Sequence, residues 1–286
     1  MQSATIISRY RALTYDNGNM LLYHKGKLYF EKESKTEFLC YLPYSFIRKL
    51  ACKNRLLERL MRLEPRVACC LDEFQYLISC AGHIYKIDLH NNTLSDELQL
   101  RDGMNNPLSF TRVSTDDGST ERVLFGEYFS NNKLDPVSIF ERANDGWKIL
   151  YTFDAGTVYH IHGIVQDSQK KLIYVLTGDS DSESGIWVTD DYFRTLNPII
   201  IGTQQYRACV AFAYKNGLLY ATDTPREQNY LYYLYPQNGK WGIECVFKMP
   251  GPCIYGAKRN GRLLFATSVE GDDTLPNWPH CFQCNP

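Results

Sequence analysis

VYHIHGIVQDSQKKLIYVLTGDSDSESGIWVTDDYFRTLNPIIIG, residues 158–202, holds four apolar runs cut by polar segments. IHGIVQD is followed by the turn SQKK, LIYVLTGD by the loop SDSES, GIWVTD by the turn DYFRT, and LNPIIIG closes the series. Short runs of β-branched and aromatic residues bounded by Ser, Asp, Lys and Gly are the pattern of strands joined by turns. The following segment repeats the order: RACVAFAY, KNG, LLYATD, TPREQN, YLYYLY, PQNGK, WGIECVF. Asp179 and Asp223 stand 44 residues apart, and Asp223 and Ser268 stand 45 apart. A four-stranded propeller blade has about that length.

A related unit, FTRVSTDDGSTERVLFGEYFSNNKLDPVSIFERANDGWKILYTF, precedes these two, and CIYGAKRNGRLLFATSVEGDD follows them. Earlier, NMLLYHKGKLYFEKESKTEFLCYL and CCLDEFQYLISCAGHIYKIDLHNNTLSDELQL read as strands with polar turns. The expected fold is all-β: a five- or six-bladed β-propeller occupying residues 1–286 as one domain. TLPNWPHCFQCNP supplies no obvious outer strands, so an irregular tail is expected over about 271–286, with either TIISRYRALTY closing the last blade or that blade left short.

One segment breaks the strand pattern. SFIRKLACKNRLLERLMRLEP has Phe46, Ile47, Leu50, Leu57, Leu60 and Met61 at helical spacing, Ser45 as N-cap and Pro65 as stop. It predicts one inserted helix over about 44–64, between the first two blades, with its apolar side packed inward. Arg48, Lys49, Lys53, Arg55, Arg59 and Arg62 fall on the other side. A solvated basic face is the favoured reading, and weak contact with a membrane surface or an acidic partner the alternative.

Composition bounds the function. Lys+Arg total 31 and Asp+Glu 32, for a formal charge of -1, which argues against a general nucleic-acid footprint. The N-terminus has no apolar core of signal-peptide length and no run approaches a membrane span, so a soluble, cytoplasmic protein is expected. Most of the 10 cysteines sit inside apolar patterns, as small core residues do. Cys281 and Cys284 beside His280 have metal-like spacing at one end only, and are expected to be dispensable. GxxxxGK[ST], GxGxxG after a strand, HExxH and GxSxG are all missing.

WVTDDYFRTL resembles a degenerate Asp-box, the Ser/Thr-x-Asp-x-Gly-x-Thr-Trp turn of sialidase-like (BNR-repeat) propellers. Thr189, Asp191 and Thr195 match; Phe193 replaces the glycine and Leu196 the tryptophan. RANDGWKI and YPQNGKWGI are more eroded copies that keep Trp147 and Trp241, and the resemblance covers about residues 108–250. It implies a glycosidase-type propeller in which the Asp-box is a structural turn between outer strands, so Asp191 is not a catalytic candidate. Sialidases proper use an arginine triad, a Tyr/Glu pair and an Asp. Arg207 and Glu127 match single members only, so sialidase activity is not carried over.

Propeller geometry selects the candidate site. The innermost strand starts, and the second strand ends, at the same edge of the disc, because the two are antiparallel. Innermost starts offer His160 and His162, then Tyr206 and Arg207, then Cys253 and Tyr255; second-strand ends offer Glu127, Asp179, Asp223 and Ser268. A mouth of three carboxylates, two imidazoles and an arginine is expected. Glu127, Asp179 and Asp223 are the catalytic candidates, as carboxylate pairs across a sugar. His160, His162 and Asp179 could instead hold a divalent cation. Arg207 with Gln205 could grip an anionic group, and Tyr206, Tyr255 and Tyr159 could stack on sugars. Against this, a carboxylate at a strand end often only caps a loop, and His-x-His in a strand is often structural. Three functions follow: a glycoside hydrolase-like or lyase-like protein acting on an acidic or complex glycan, a glycan-binding propeller without turnover, or a protein-interaction scaffold.

Overall fold

The apolar runs form strands in the computed structural model, which describes residues 9–114, 121–143 and 146–268 and the backbone of 281–284. Among the described residues, twenty-three strands assemble into six antiparallel sheets, each a meander of sequential neighbours. Five sheets have four strands and the last has three. The chain comprises two compact units, Met1–Phe110 with Asn144–Trp147, and Thr111–Ala143 with Lys148–Pro286.

The first unit holds two sheets. One is β1 (Arg11–Asp16), β2 (Asn19–His24), β3 (Lys27–Lys32) and β4 (Lys35–Tyr41). The other is β5 (Val67–Cys70), β6 (Gln75–Cys80), β7 (His83–Asp88) and β8 (Thr93–Gln99). Leu21, Tyr23, Leu28, Tyr76, Ile78 and Ile87 are buried in their shared core. Arg11–Asp16 pairs with β2 in the first sheet, and residues 5–8 of TIISRYRALTY lie outside the described residues.

The second unit carries the remaining sheets, apart from Gly146–Trp147 at the start of the strand Gly146–Phe153. They are β9 (Thr111–Ser114), β10 (Glu121–Gly126), β11 (Val137–Ala143) and β12 (Gly146–Phe153); then β13 (His160–Asp167), β14 (Leu172–Gly178), β15 (Gly185–Thr189) and β16 (Asn197–Ile201). Next come β17 (Ala208–Tyr214), β18 (Gly217–Thr222), β19 (Asn229–Gln237) and β20 (Lys240–Met249); and last β21 (Cys253–Arg259), β22 (Arg262–Thr267) and β23 (Cys281–Cys284). Where an irregular tail is expected over about 271–286, Cys281–Cys284 pairs with Leu263–Ala266, and residues 271–280 and 285–286 lie outside the described residues. The edge of β22 carries unpaired backbone groups that a strand satisfies, a demand that a proline-rich composition conceals.

The period-two pattern explains why these sheets stack face to face. On β14, Ile173 and Val175 join the core shared with Val113, Leu124, Ile139 and Phe153. Tyr174 and Leu176, pointing the other way, join Leu218 and Tyr220 of β18. On β18 the alternation repeats, with Leu219 and Ala221 packed against Cys253 and Phe265. A second strand is therefore apolar on both sides, and each fully buried large side chain contributes about 1.5–3 kcal/mol. The hairpin turns suit the strand twist: Asn238 and Gly239 have φ of 50° and 76°, Asn260 and Gly261 of 49° and 72°. Positive φ at both central residues defines the type I′ hairpin.

Between β4 and β5 the expected long helix is two short ones, α1 (Phe46–Ala51) and α2 (Arg55–Leu60). Ser45 Oγ accepts from Arg48 N at 3.5 Å as the first cap. A second cap breaks the run: Asn54 Oδ1 accepts from Leu56 N at 2.9 Å and Leu57 N at 3.3 Å. Such a side chain competes with helix continuation, and the helical spacing of the apolar residues did not reveal it. The inward packing of the apolar residues is also corrected. Ala51, Cys52, Glu58 and Leu63 are the buried positions, while Phe46, Ile47 and Leu60 are exposed. Tyr23 OH donates to the Glu58 carboxylate, and Tyr44 OH to Leu63 O, so polar anchors hold α2 down.

Candidate functional site

The β13 and β14 hairpin brings the candidate residues of its sheet together. His160 pairs with Gly178 at the open edge, and the register shifts between Ile161 and Gly163, a bulge that contains His162. Bulges re-aim side chains. Both imidazoles consequently meet the residue after β14, Asp179. His160 Nε2 lies 2.9 Å from His162 Nε2 and 3.3 Å from Asp179 Oδ1; His162 Nε2 lies 3.0 Å from the same oxygen. Among the described residues these three form the one group of His, Cys, Asp or Glu with metal-ligand spacing, their donor atoms all within 4.8 Å of one another.

The far nitrogens decide the tautomers. His160 Nδ1 is 3.2 Å from Phe129 O, and His162 Nδ1 is 3.1 Å from Ala208 O. A carbonyl oxygen only accepts, so each Nδ1 carries a proton, and a ring without a second proton presents an Nε2 lone pair inward. Two lone pairs and a carboxylate oxygen then face one another. That arrangement is repulsive unless a cation, either a shared proton or a metal ion, sits among them. Ligand atoms about 2.1 Å from one ion stand about 3–3.4 Å apart, close to the observed separations.

Electrostatics point the same way. Burial pushes the His162 pKa below the usual imidazole value, with His160 and Arg207 adding to the shift against the pull of Asp179. Burial by itself would raise Asp179, but the hydrogen bonds and charges of the two imidazoles outweigh it and hold its carboxyl well below the usual range. His160 and His162 are 3% and 2% exposed, whereas the Asp179 side chain is 37% exposed. The open side of the group is therefore the Asp179 side.

Arg207 completes that side. Its Nη2 lies 3.2 Å from Asp179 Oδ1 and 3.6 Å from Asp223 Oδ2. Its Nη1 donates to Asp179 O at 3.3 Å, where Gln204 Nε2 also donates at 2.8 Å. The next sheet repeats the device in modified form. Its register shifts between Ala208 and Val210, and Cys209, at that bulge, donates its thiol to Asp223 Oδ2 at 3.1 Å. Burial and the Asp223 charge push the Cys209 thiol well above its ordinary value, so it remains protonated.

His160, His162, Asp179, Arg207 and Asp223 are thus linked directly. Glu127 is not a member of the metal-spaced group; its backbone O accepts from Ile161 N at 3.0 Å and its Oε2 from Ser138 N at 2.8 Å. Gln205 Nε2 turns to Glu227 Oε2, 2.6 Å away; Tyr206 lies in a 3₁₀ turn, Gln204–Tyr206; and Tyr255 is 67% exposed on β21. Sequence reasoning missed Gln204, Cys209 and Tyr128, whose ring stacks obliquely on His160 with centroids 4.1 Å apart. Gly178 was missed too: a Cβ there would lie 2.4 Å from His162 Cε1. The Thr-Gly-Asp run was the signal for Gly178; neither Gln204 nor Cys209 had one.

No protein-family model matches the sequence, and no curated protein is similar to it in sequence. Solved structures are similar in fold. A calcium-binding protein, regucalcin, from Agrobacterium tumefaciens aligns with a TM-score of 0.56 and 12% identity over 94% of this chain and 85% of its own. An oligogalacturonate lyase from Vibrio parahaemolyticus gives 0.58 and 11%, over 97% and 75%. A puromycin-hydrolysing peptidase from Mycobacterium tuberculosis gives 0.57 and 10%, over 90% of this chain but 43% of that one. The chain has a β-propeller-type, all-β fold.

Proposed function

We propose that this protein is a carbohydrate-active, six-bladed propeller, each sheet being one blade, that holds a divalent transition-metal ion on His160, His162 and Asp179. The observation that carries the reading is the convergence of two Nε2 lone pairs and a carboxylate, with both Nδ1 atoms anchored on backbone carbonyls. Carbonyl anchoring of the second ring nitrogen is the usual support of a histidine ligand. Two imidazoles favour zinc, manganese, iron or nickel over calcium. The bound ion would supply Lewis acidity at the anionic group of a substrate.

The substrate class follows from the residues around that ion. Arg207, at the exposed edge beside Asp179, is suited to a sugar carboxylate, so an acidic glycan is the proposed ligand. A carboxylate held by Arg207 acidifies the carbon-bound proton next to it, which favours β-elimination over hydrolysis. Hydrolysis needs a carboxylic acid kept protonated, and Asp179 is shifted the opposite way. A similar fold in an oligogalacturonate lyase agrees with that reading. Kinship with BNR-repeat propellers is proposed only for the Thr189–Thr195 turn.

Binding without turnover is the second reading, favoured by the thiol of Cys209 capping Asp223 where a reactive carboxylate would be free to accept protons. The test is to incubate the manganese-loaded protein with a polyuronate and follow unsaturated uronate by ultraviolet absorbance and binding by calorimetry. Elimination lost in Asp179→Asn supports the enzyme. Metal-dependent binding without product leaves the binding protein, and neither binding nor product overturns the glycan reading.

A further inference from the structure

The α1 and α2 segment carries a surface that the proposed site does not use. Phe46, Ile47, Leu50, Leu56 and Leu60 are 81%, 72%, 56%, 74% and 76% exposed, all within fifteen consecutive residues. Single exposed apolar side chains are ordinary, but a contiguous group of this size marks a contact surface. Between them stand Arg48, Lys49, Lys53, Arg55, Arg59 and Arg62, also exposed, and none forms an ion pair among the described residues. Of the segment's two carboxylates, Glu58 is buried beneath α2 and accepts from Tyr23, and Glu64 is paired with Arg11, 3.0 Å away. The outer face therefore combines large apolar groups with six positive charges and no compensating negative one.

Charge selects the occupant. In a two-fold dimer through this face, six cations would meet six cations, so a second copy is a poor fit. The basic side chains ask for a negatively charged surface. Exposed apolar groups spread over two short helices ask for a medium that needs no preformed groove. We infer that α1 and α2 lie on an anionic lipid bilayer, with Phe46, Ile47, Leu50, Leu56 and Leu60 entering the headgroup boundary and the Arg and Lys side chains on the phosphates. Among the described residues no helix is long and apolar enough to cross a membrane, and this contact is peripheral.

The test is co-sedimentation of the full chain with vesicles of phosphatidylcholine alone and of equal parts phosphatidylcholine and phosphatidylserine. Wild type pellets with the anionic vesicles, weakly with the neutral ones, and is released by salt. Arg55→Ala and Arg59→Ala each lower partitioning about fivefold. Leu56→Ser with Leu60→Ser lowers it by roughly tenfold or more. These positions are exposed, so circular dichroism of all three variants should match wild type, and all three should bind metal as wild type does. Failure to pellet, equal pelleting with neutral vesicles, or pelleting unaffected by the leucine substitutions overturns the inference. Retention on polyglutamate without vesicle binding assigns the face to an acidic protein instead. A dimer in analytical ultracentrifugation that the leucine variant dissociates assigns it to a second copy.

Discussion

His160 Nε2 and His162 Nε2 face each other at 2.9 Å while the opposite nitrogens are engaged by Phe129 O and Ala208 O. Neither ring can turn to relieve that approach without leaving a buried N–H or carbonyl unpaired, at about 1–3 kcal/mol each. The pair is thus held in a geometry that a cation between the rings would relieve.

Zinc, manganese or nickel should therefore raise the melting temperature, and calcium much less. A ligand at a hundredfold excess over its Kd adds about 2.7 kcal/mol, a rise of several degrees for a chain of this size. Differential scanning calorimetry after chelator treatment, with each metal restored in turn, measures it. His162→Ala should abolish the rise. A wild-type melting temperature indifferent to every transition metal would remove the metal from the site.

Glu127 and Asp179 should separate cleanly. Glu127 Oε2 accepts from a backbone N–H inside the fold, so Glu127→Ala should lower stability by about 1–3 kcal/mol with metal affinity kept, and Glu127→Gln should restore most of the loss. Asp179→Asn should do the reverse, dropping metal affinity at least tenfold with a small effect on denaturant midpoint. Titration calorimetry and urea unfolding on the same three variants measure both quantities. Equal metal affinity in Asp179→Asn and wild type would remove Asp179 from the ligand set.

Gly178→Ala tests the packing beneath the rings. The added methyl would meet His162 Cε1 at 2.4 Å, and the ring is fully buried with Nδ1 committed to Ala208 O. The imidazole must shift by several tenths of an ångström, enough to spoil ligand geometry. Metal affinity should fall by at least tenfold, and the loss should exceed that of Gly156→Ala, a site where a Cβ meets nothing within 4 Å. Unchanged affinity would mean the ligand rings tolerate displacement.

The alternating runs carried most of the fold, because alternation states which side chains face which neighbour: Tyr174 and Leu176 against one sheet, Ile173 and Val175 against another. The convergence of His160, His162, Asp179, Arg207 and Asp223 was legible from the same register logic, since strand starts and ends share an edge. Glu127 satisfied that logic equally well and yet bonds Ser138, because position on a strand does not say where a carboxylate turns. Bulges at His162 and Cys209 left no mark in the composition. The exposure of Phe46 and Leu60 was hidden for a different reason. Helical spacing shows that a helix has an apolar side, and not that anything in the chain covers it.

Phe193 offers a last test, at the turn joining β15 and β16. Thr189 Oγ1 accepts from Phe193 N at 2.9 Å, and Asp191 Oδ1 accepts from Thr195 N at 2.9 Å, so the turn is pinned from both ends. Phe193 has a φ of 67°, a left-handed conformation that favours glycine, and its side chain is 5% exposed within the core that includes Phe153, Val158 and Leu196. The conformation costs about 1–2 kcal/mol for a residue with a Cβ. Removing a buried phenylalanine side chain costs about 3–5 kcal/mol. Packing outweighs strain by this comparison, so Phe193→Gly should destabilise the protein by about 1–4 kcal/mol in spite of the easier backbone, as measured by urea unfolding. Metal affinity should stay at the wild-type value, because Phe193 packs in the sheet interior and has no part in the ligand group. Equal or greater stability in Phe193→Gly would show that the turn, and not the ring, governs this position.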